Sequence, residues 1–140
     1  MLRYLLDTNV VSELARPEPN EHVREQYRAH EHESAISSVV WHELVYGVER
    51  LPAGRRRDVL MQYMEEVVQP TLPILPYDAA AARWHSRERA RLERRGRTRP
   101  FADGMIAAVA ATRSLILITR NTDDFAGFDG LHLENWFAAP

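Results

Sequence analysis

The chain has 140 residues, of which 45% are hydrophobic, and a net charge of −2, which together predict one compact domain over residues 1–140 with a substantial core. Cysteine is absent, which excludes disulfides, thiol catalysis and thiolate metal sites. All 18 basic residues are arginine, so lysine-dependent chemistry such as P-loop nucleotide binding or Schiff-base formation is excluded as well. No apolar run is long enough for a membrane span and no signal-peptide pattern opens the sequence, so we expect a soluble cytoplasmic protein.

The first half of the chain alternates short apolar runs with helical patterns. The pattern predicts a strand at residues 3–6, a helix from there to about residue 15 and a second helix at residues 20–31. A strand at residues 35–37 follows, and then two more helices, from residue 38 to about residue 50 and at residues 55–68. The apolar face of the last of these helices is predicted to consist of Val59, Leu60, Tyr63, Met64 and Val67.

The second half continues the alternation. Residues 71–75 are bracketed by prolines and predict a short or edge strand, because proline cannot donate a ladder hydrogen bond. Two helices follow, at residues 78–94 and from residue 100 to about residue 113. The clearest strand is predicted at residues 115–119, and a weak final strand at residues 131–133. Strands that alternate with helices predict a three-layer α/β/α sandwich with a central four- to five-stranded parallel sheet.

Two acidic positions follow predicted strands. Asp7 stands directly after the first strand, at the carboxyl end where open parallel sheets bind ligands, although it could instead cap the next helix. Asp123 and Asp124 follow the strand at 115–119 in a predicted turn, where acids are also common for backbone reasons. If these two strands are neighbours, Asp7 meets Asp123 or Asp124 where the strand order reverses, and spacing alone does not choose between the two.

Two further acids lie within apolar helical segments. The helix around Glu43 is apolar nearly all round, so its carboxylate is expected to be half-buried or to line a cleft, with a structural arginine partner as the alternative. Asp103 opens an alanine-rich helix, where the helix dipole favours an acid, and is expected to face the crevice at the sheet edge. Gly104 should loosen that helix start by about 1 kcal/mol.

Taken together, these carboxylates suit a hard divalent cation. Carboxylate and water oxygens are the ligands that Mg²⁺ and Mn²⁺ prefer, and one or two such ions can polarise a phosphoryl oxygen and generate hydroxide. The candidate metal ligands are Asp7, Glu43, Asp103 and Asp124.

The positive charge is concentrated in one segment. Residues 83–99, here called the arginine segment, contain eight arginines against Glu88 and Glu93. Such a run could be a solvated helix face, but beside an acidic pocket it would suit a phosphodiester substrate. The candidate RNA-binding residues are Arg94, Arg95, Arg97 and Arg99.

Four motifs resemble, in order, those of the PIN-domain ribonucleases, and within them the FitB-like branch of the VapC-type toxins. They occupy residues 5–14, 37–47, 99–108 and 119–125. The resemblance implies a PIN-like fold and a Mg²⁺- or Mn²⁺-dependent endoribonuclease in which the four candidate acids surround the metal and a metal-activated water cleaves RNA. It favours Asp124 over Asp123, because Asp124 directly precedes Phe125.

The same resemblance implies supporting residues and partners. The polar positions that commonly support the acidic site are matched by Asn9, Ser12, Thr119 and Asn121. It further implies a homodimer and a heteromeric complex with a cognate VapB-type antitoxin, whose tail covers the acidic groove, often with an arginine. No membrane partner is implied.

Other functions remain open at this point. A structure-specific DNA nuclease or a small-molecule phosphatase could use a similar sheet, although the missing lysine argues against a phosphatase. A non-catalytic module could bind RNA or a protein partner through the arginine segment alone. Such a module would keep its function after loss of the acids and lose it after loss of the arginines.

Overall fold

The computed structural model describes residues 1–138. Within this range five short strands form one fully parallel sheet in the order β3-β2-β1-β4-β5. The strands are β1 (Tyr4–Leu6), β2 (Ser34–Ser37), β3 (Ile74–Leu75), β4 (Ile116–Ile118) and β5 (His132–Glu134). The predicted parallel sheet is confirmed, and β3 is an edge strand, as its flanking prolines predicted.

Helices flank the sheet and complete the α/β/α sandwich. They are α1 (Thr8–Leu14), α2 (Glu21–His30), α3 (Ser38–Glu49), α4 (Arg55–Tyr63), α5 (Gln69–Thr71), α6 (Ala79–Arg94), α7 (Phe101–Thr112) and α8 (Thr122–Phe125). Among the helices of residues 1–138, none combines the length and the apolar composition needed to cross a membrane.

The two central strands, β1 and β4, position the carboxyl ends that matter for function. Their pairing runs from Tyr4 opposite Ile116 to Leu6 opposite Ile118, and the Asp7 backbone N–H extends it by donating to the Ile118 carbonyl at 2.9 Å. The chain leaves β1 towards β2 on one side, while β4 lies on the other side. The strand order therefore reverses between β1 and β4, which meets the condition stated for these two strands, and the residues following both strands meet at this switch point.

Helix α7 packs closely on α6 and carries Asp103 in its first turn. A Cβ at Gly104 would overlap the imidazole of His85, coming within 2.6 Å of its Cδ2, so only glycine permits this contact without rearrangement. The Nδ1 of His85 shares a hydrogen bond of 3.0 Å with the Tyr77 hydroxyl, which holds the ring in place. Gly104, which we expected only to loosen the start of α7, thus allows α6 and α7 to approach each other.

Two local predictions are wrong. The predicted face of residues 55–68 is not uniformly buried: Val59 and Val67 are 52% and 45% exposed, whereas Val68 lies in the core. The helix widens into a π-helical turn at Met64–Val68, and the extra residue in that turn directs Val68 inward in place of Val67. Asp124, expected in a turn, lies in the short helix α8.

Candidate active site

Asp7 is fixed at the switch point by donors from the segments that follow both central strands. Its Oδ1 accepts a 2.7 Å hydrogen bond from the Thr8 backbone N–H, so Asp7 is the N-cap of α1. Its Oδ2 accepts a 2.8 Å bond from the Thr119 hydroxyl, just beyond β4, and a 3.3 Å bond from the Asn9 amide. The capping role and an oriented carboxylate therefore coexist in one side chain.

The environment of Asp7 opposes a negative charge. The side chain is only 7% exposed, and burial raises the pKa of Asp7 above its ordinary value. Hydrogen bonds from Thr119 and Thr8 oppose this rise in pKa, and the nearby charge of Glu43 adds to it. A cation next to this group would favour the ionised form.

Glu43 faces Asp7 from helix α3. It is half-buried, as expected, and its Oε1 accepts a 3.0 Å hydrogen bond from the Thr8 hydroxyl. Within residues 1–138 no arginine forms an ion pair with Glu43, so the alternative of a structural arginine partner is not supported. Thr8 is a residue that the sequence reasoning missed as a support of Glu43, because its contact depends on how α1 packs against α3.

Asp103 and Asp124 complete the group. Burial first, and then the negative charges of Asp7, Asp124 and Glu43, raise the pKa of Asp103 to about 6, while the charge of Arg99 lowers it. The four predicted acids therefore lie close enough to act on one another electrostatically. Asp124 is one of the three acids whose charge raises the pKa of Asp103.

The predicted supporting residues differ in how directly they contact the acids. Thr119 and Asn9 donate to Asp7, and the Thr119 hydroxyl in turn accepts a 3.1 Å bond from the Asn121 backbone N–H. The side-chain Oδ1 of Asn9 also accepts from the Arg120 backbone N–H at 3.2 Å, which ties α1 to the end of β4. Ser12 is exposed and lines a groove next to Glu43, and within residues 1–138 it forms no hydrogen bond with an acid.

The donor set fits a hard cation better than a soft one, because it consists of carboxylates supported by hydroxyl and amide groups. In the present arrangement no three acidic or histidine side chains among residues 1–138 are close enough to hold a metal ion together. Mg²⁺ commonly keeps several waters and binds through one or two carboxylates plus substrate phosphates. Burial and the neighbouring acids both oppose the ionised form of Asp103, and such an ion would favour that form.

An open groove of about 450 Å³ begins at this site. Its acidic end contains Glu43 and Thr8, and Arg16 and Arg56 also line it. The rest of the lining is mainly apolar and includes Leu44, Val48, Leu51, Leu60 and Met64. A partner with both apolar and charged side chains could therefore occupy the groove.

The arginine segment divides into paired and unpaired parts. Arg91 binds Glu88 at 2.9 Å and donates to the Gly127 carbonyl at 2.7 Å, so it joins α6 to the loop after α8. Of the four candidate RNA-binding residues, Arg94, Arg95 and Arg97 are exposed, whereas Arg99 is half-buried and its charge reaches Asp103.

Comparisons with known proteins match the whole length of this fold. Residues 4–131 match the PIN domain. The tRNA(fMet)-specific endonuclease VapC of Shigella flexneri is 38% identical over 136 residues, covering 97% of this chain and 99% of that protein. The toxin FitB of Neisseria gonorrhoeae is 36% identical over 135 residues, covering 94% of this chain and 97% of that protein.

Solved structures agree with these sequence relatives. The crystal structure of FitAcB from Neisseria gonorrhoeae superposes with a TM-score of 0.89 at 34% identity, covering 97% of this chain and 99% of that chain. Other similar structures include a member of the VapBC family of toxin–antitoxin systems from Mycobacterium tuberculosis.

Proposed function

Because this chain belongs to the PIN-domain family and is similar there to VapC and FitB toxins, we propose that it is a divalent-metal-dependent endoribonuclease of a toxin–antitoxin pair. The observation that carries this proposal is the gathering of four carboxylates at one switch point, where burial first, and then the negative charges of the other three, raise the pKa of Asp103 to about 6. A protein gains nothing in stability from such like charges, so their placement indicates a cationic partner.

The chemistry is phosphodiester hydrolysis. Mg²⁺ or Mn²⁺ held among Asp7, Glu43, Asp103 and Asp124 would supply an activated water and charge neutralisation at the phosphate. Thr119 and Asn9 keep the Asp7 carboxylate oriented, and Thr8 does the same for Glu43. The arginine segment raises the local concentration of the polyanionic substrate.

The decisive experiment compares RNA and DNA cleavage by the unaltered protein, Asp7→Asn, Asp103→Asn and the control Asp123→Asn, with Mg²⁺, with Mn²⁺ and with EDTA. We expect the unaltered protein to cleave RNA but not DNA, and to lose this activity in EDTA. Asp7→Asn and Asp103→Asn should lose RNA cleavage with an unchanged circular-dichroism spectrum, whereas Asp123→Asn should retain it. Undiminished cleavage by Asp7→Asn would refute the site.

The same experiment separates the other functions. Cleavage of DNA would favour the structure-specific DNA nuclease. RNA binding without any cleavage, kept in Asp7→Asn and lost after arginine substitution, would favour the non-catalytic module.

We also propose that a VapB-type antitoxin inhibits the protein by covering the groove that starts at Glu43. The apolar lining of this groove suits a protein segment better than a polynucleotide, and an arginine from the antitoxin would meet the uncompensated acids. Leu60→Glu should weaken the complex, measured by calorimetry with the antitoxin, and leave RNA cleavage intact. Light scattering on the isolated protein tests the proposed homodimer.

A further inference from the structure

A second, smaller cavity of about 100 Å³ lies beside the acidic site. It is enclosed by the second half of α6, by the connection that leads to α7 and by Phe128 after α8. Three arginines line it, namely Arg89, Arg97 and Arg99. Because the Arg99 charge also acts on Asp103, this cavity and the acidic site are neighbours with one arginine in common.

The charge of the cavity is strongly positive. Its three guanidinium groups are opposed by a single carboxylate, Glu93, which lies 3.6 Å from Arg89. The two remaining arginines, Arg97 and Arg99, form no ion pair within residues 1–138. Like charges gathered around a small concave space favour an anion there.

Arg99 gives an independent indication. Its Nε is fully buried, yet among residues 1–138 it has no hydrogen-bond partner, an arrangement that costs free energy unless an acceptor is supplied. The guanidinium packs against Gly127, where a Cβ would lie 3.3 Å from its Nη2. Arg99 is therefore held in position with one of its donors lacking an acceptor.

Arg89 is also held in place before any ligand binds. Its guanidinium carbon lies 5.2 Å from the centroid of the Phe101 ring, within the range of a cation–π contact. A restrained arginine loses less conformational entropy when it binds an anion than a free one does.

We propose that this cavity binds a backbone phosphate of the RNA substrate, next to the phosphate that is cleaved, with Arg97 and Arg99 as the principal donors. The inference rests on the proposed function and extends it by separating Arg97 and Arg99 from Arg94 and Arg95 within the arginine segment. Guanidinium groups bind phosphate oxygens through paired, charge-assisted hydrogen bonds, and neither Arg97 nor Arg99 has a carboxylate partner within residues 1–138 that would compete with a phosphate.

The test uses single-stranded RNA binding in EDTA, so that cleavage does not interfere. The Arg97→Gln/Arg99→Gln variant is compared with the control Arg94→Gln/Arg95→Gln, which removes the same charge from the same segment. We expect the dissociation constant to rise about 10- to 100-fold in the first variant and only about 2- to 3-fold in the control, because hydrogen bonds to charged groups outweigh general attraction. Equal weakening in both variants would overturn the proposal.

A substituted RNA locates the phosphate. In a series of oligonucleotides with one neutral methylphosphonate each, a single position should weaken binding to the unaltered protein and have no effect on the Arg97→Gln/Arg99→Gln variant. If that variant does not fold, as judged by circular dichroism, the exposed Arg97→Gln alone serves for the same comparison. A methylphosphonate effect that persists in the arginine variant would place the phosphate elsewhere.

The result is independent of the cleavage experiment. If the unaltered protein does not cleave RNA with Mg²⁺ or Mn²⁺, the proposed function fails whatever the arginines bind. If it cleaves RNA and the two arginine pairs behave alike in binding, only the phosphate site fails.

Discussion

The hydroxyl of Thr8 donates a 3.0 Å hydrogen bond to the Oε1 of Glu43, and the backbone N–H of the same residue donates to Asp7 at 2.7 Å. Thr8 thus contacts two of the four acids at once, one through its side chain and one through its main chain. The orientation of Glu43 relative to Asp7 therefore depends on a residue that carries no charge.

Replacing Thr8 tests this dependence. Thr8→Val keeps the shape of the side chain and removes the hydroxyl donor, so Glu43 loses its orientation. We expect the cleavage rate to fall about 10-fold and the Mg²⁺ concentration that is required to rise, because groups that orient metal ligands have effects of this size. Thr8→Ser keeps the hydroxyl and should remain close to the unaltered protein. A metal titration of the cleavage rate measures both, and equal loss in the two variants would point to packing instead of the hydrogen bond.

Thr119 has the corresponding role for Asp7. Its hydroxyl donates to the Asp7 Oδ2 at 2.8 Å and lowers the pKa of that acid, so Thr119→Val should raise the Asp7 pKa further. The acidic limb of the pH–rate profile should then move to higher pH, and the free energy of unfolding should fall by about 1 to 3 kcal/mol because a buried acceptor loses its donor. Thr119→Ser should restore the profile. An unmoved acidic limb in Thr119→Val would contradict the assignment.

Gly104→Ala should destabilise the contact between α6 and α7. The added Cβ meets the His85 ring, and overpacking of this kind costs about 1 to 3 kcal/mol. The double variant Gly104→Ala/His85→Ala should recover part of the loss, which denaturant unfolding of the four proteins in a double-mutant cycle would measure. Strict additivity of the two single effects would show that the ring is not the obstacle.

The stability of the metal-free protein should depend on pH through Asp103. Its pKa is 3.8 ordinarily and about 6 when folded, so the folded state binds this proton more tightly, and the free energy of unfolding falls as pH rises from about 4 to about 6. Asp103→Asn removes the effect. Because Asp103 is only half-buried, we expect less than the full pKa shift to appear as stability. In EDTA at pH 7 the free energy of unfolding of Asp103→Asn, compared with that of the unaltered protein, should be higher by about 1 to 2 kcal/mol than the same comparison gives at pH 4.

Thermal unfolding with and without metal checks this prediction. Added Mg²⁺ should stabilise the unaltered protein at pH 7 more than Asp103→Asn, since it binds the ionised acids of the folded state. The same dependence on pH in both proteins would show that Asp103 is not the group responsible.

The order of strands and helices was accessible from sequence because each element carries a local signal. The buried run at β4 and the proline-bracketed edge strand β3 are short, but their hydrophobic pattern and flanking residues identify them. The position of Asp7 followed from the same logic, since an acid directly after a buried strand lies at the sheet's carboxyl edge.

The parts that could not be predicted depend on packing between distant segments. The π-helical turn at Met64–Val68 changes which valine faces the core, and a regular helical period does not contain that information. The closeness of His85 to Gly104 and of Thr8 to Glu43 arises only when their helices pack together. In the arginine segment, the pairing of Arg91 with Glu88 and with the Gly127 carbonyl removes one positive charge from those available to a substrate.

The pairing of β1 with β4 has a consequence for biosynthesis. The hydrogen bond from Thr119 to Asp7 joins residues 112 positions apart, and synthesis proceeds from the amino end at about 5 to 20 residues per second. Until β4 has left the ribosome, Asp7 has neither its neighbouring strand nor its principal donor. A nascent chain therefore carries the acids without the arrangement that brings them together, and nuclease activity would arise only after β4 has emerged and paired with β1.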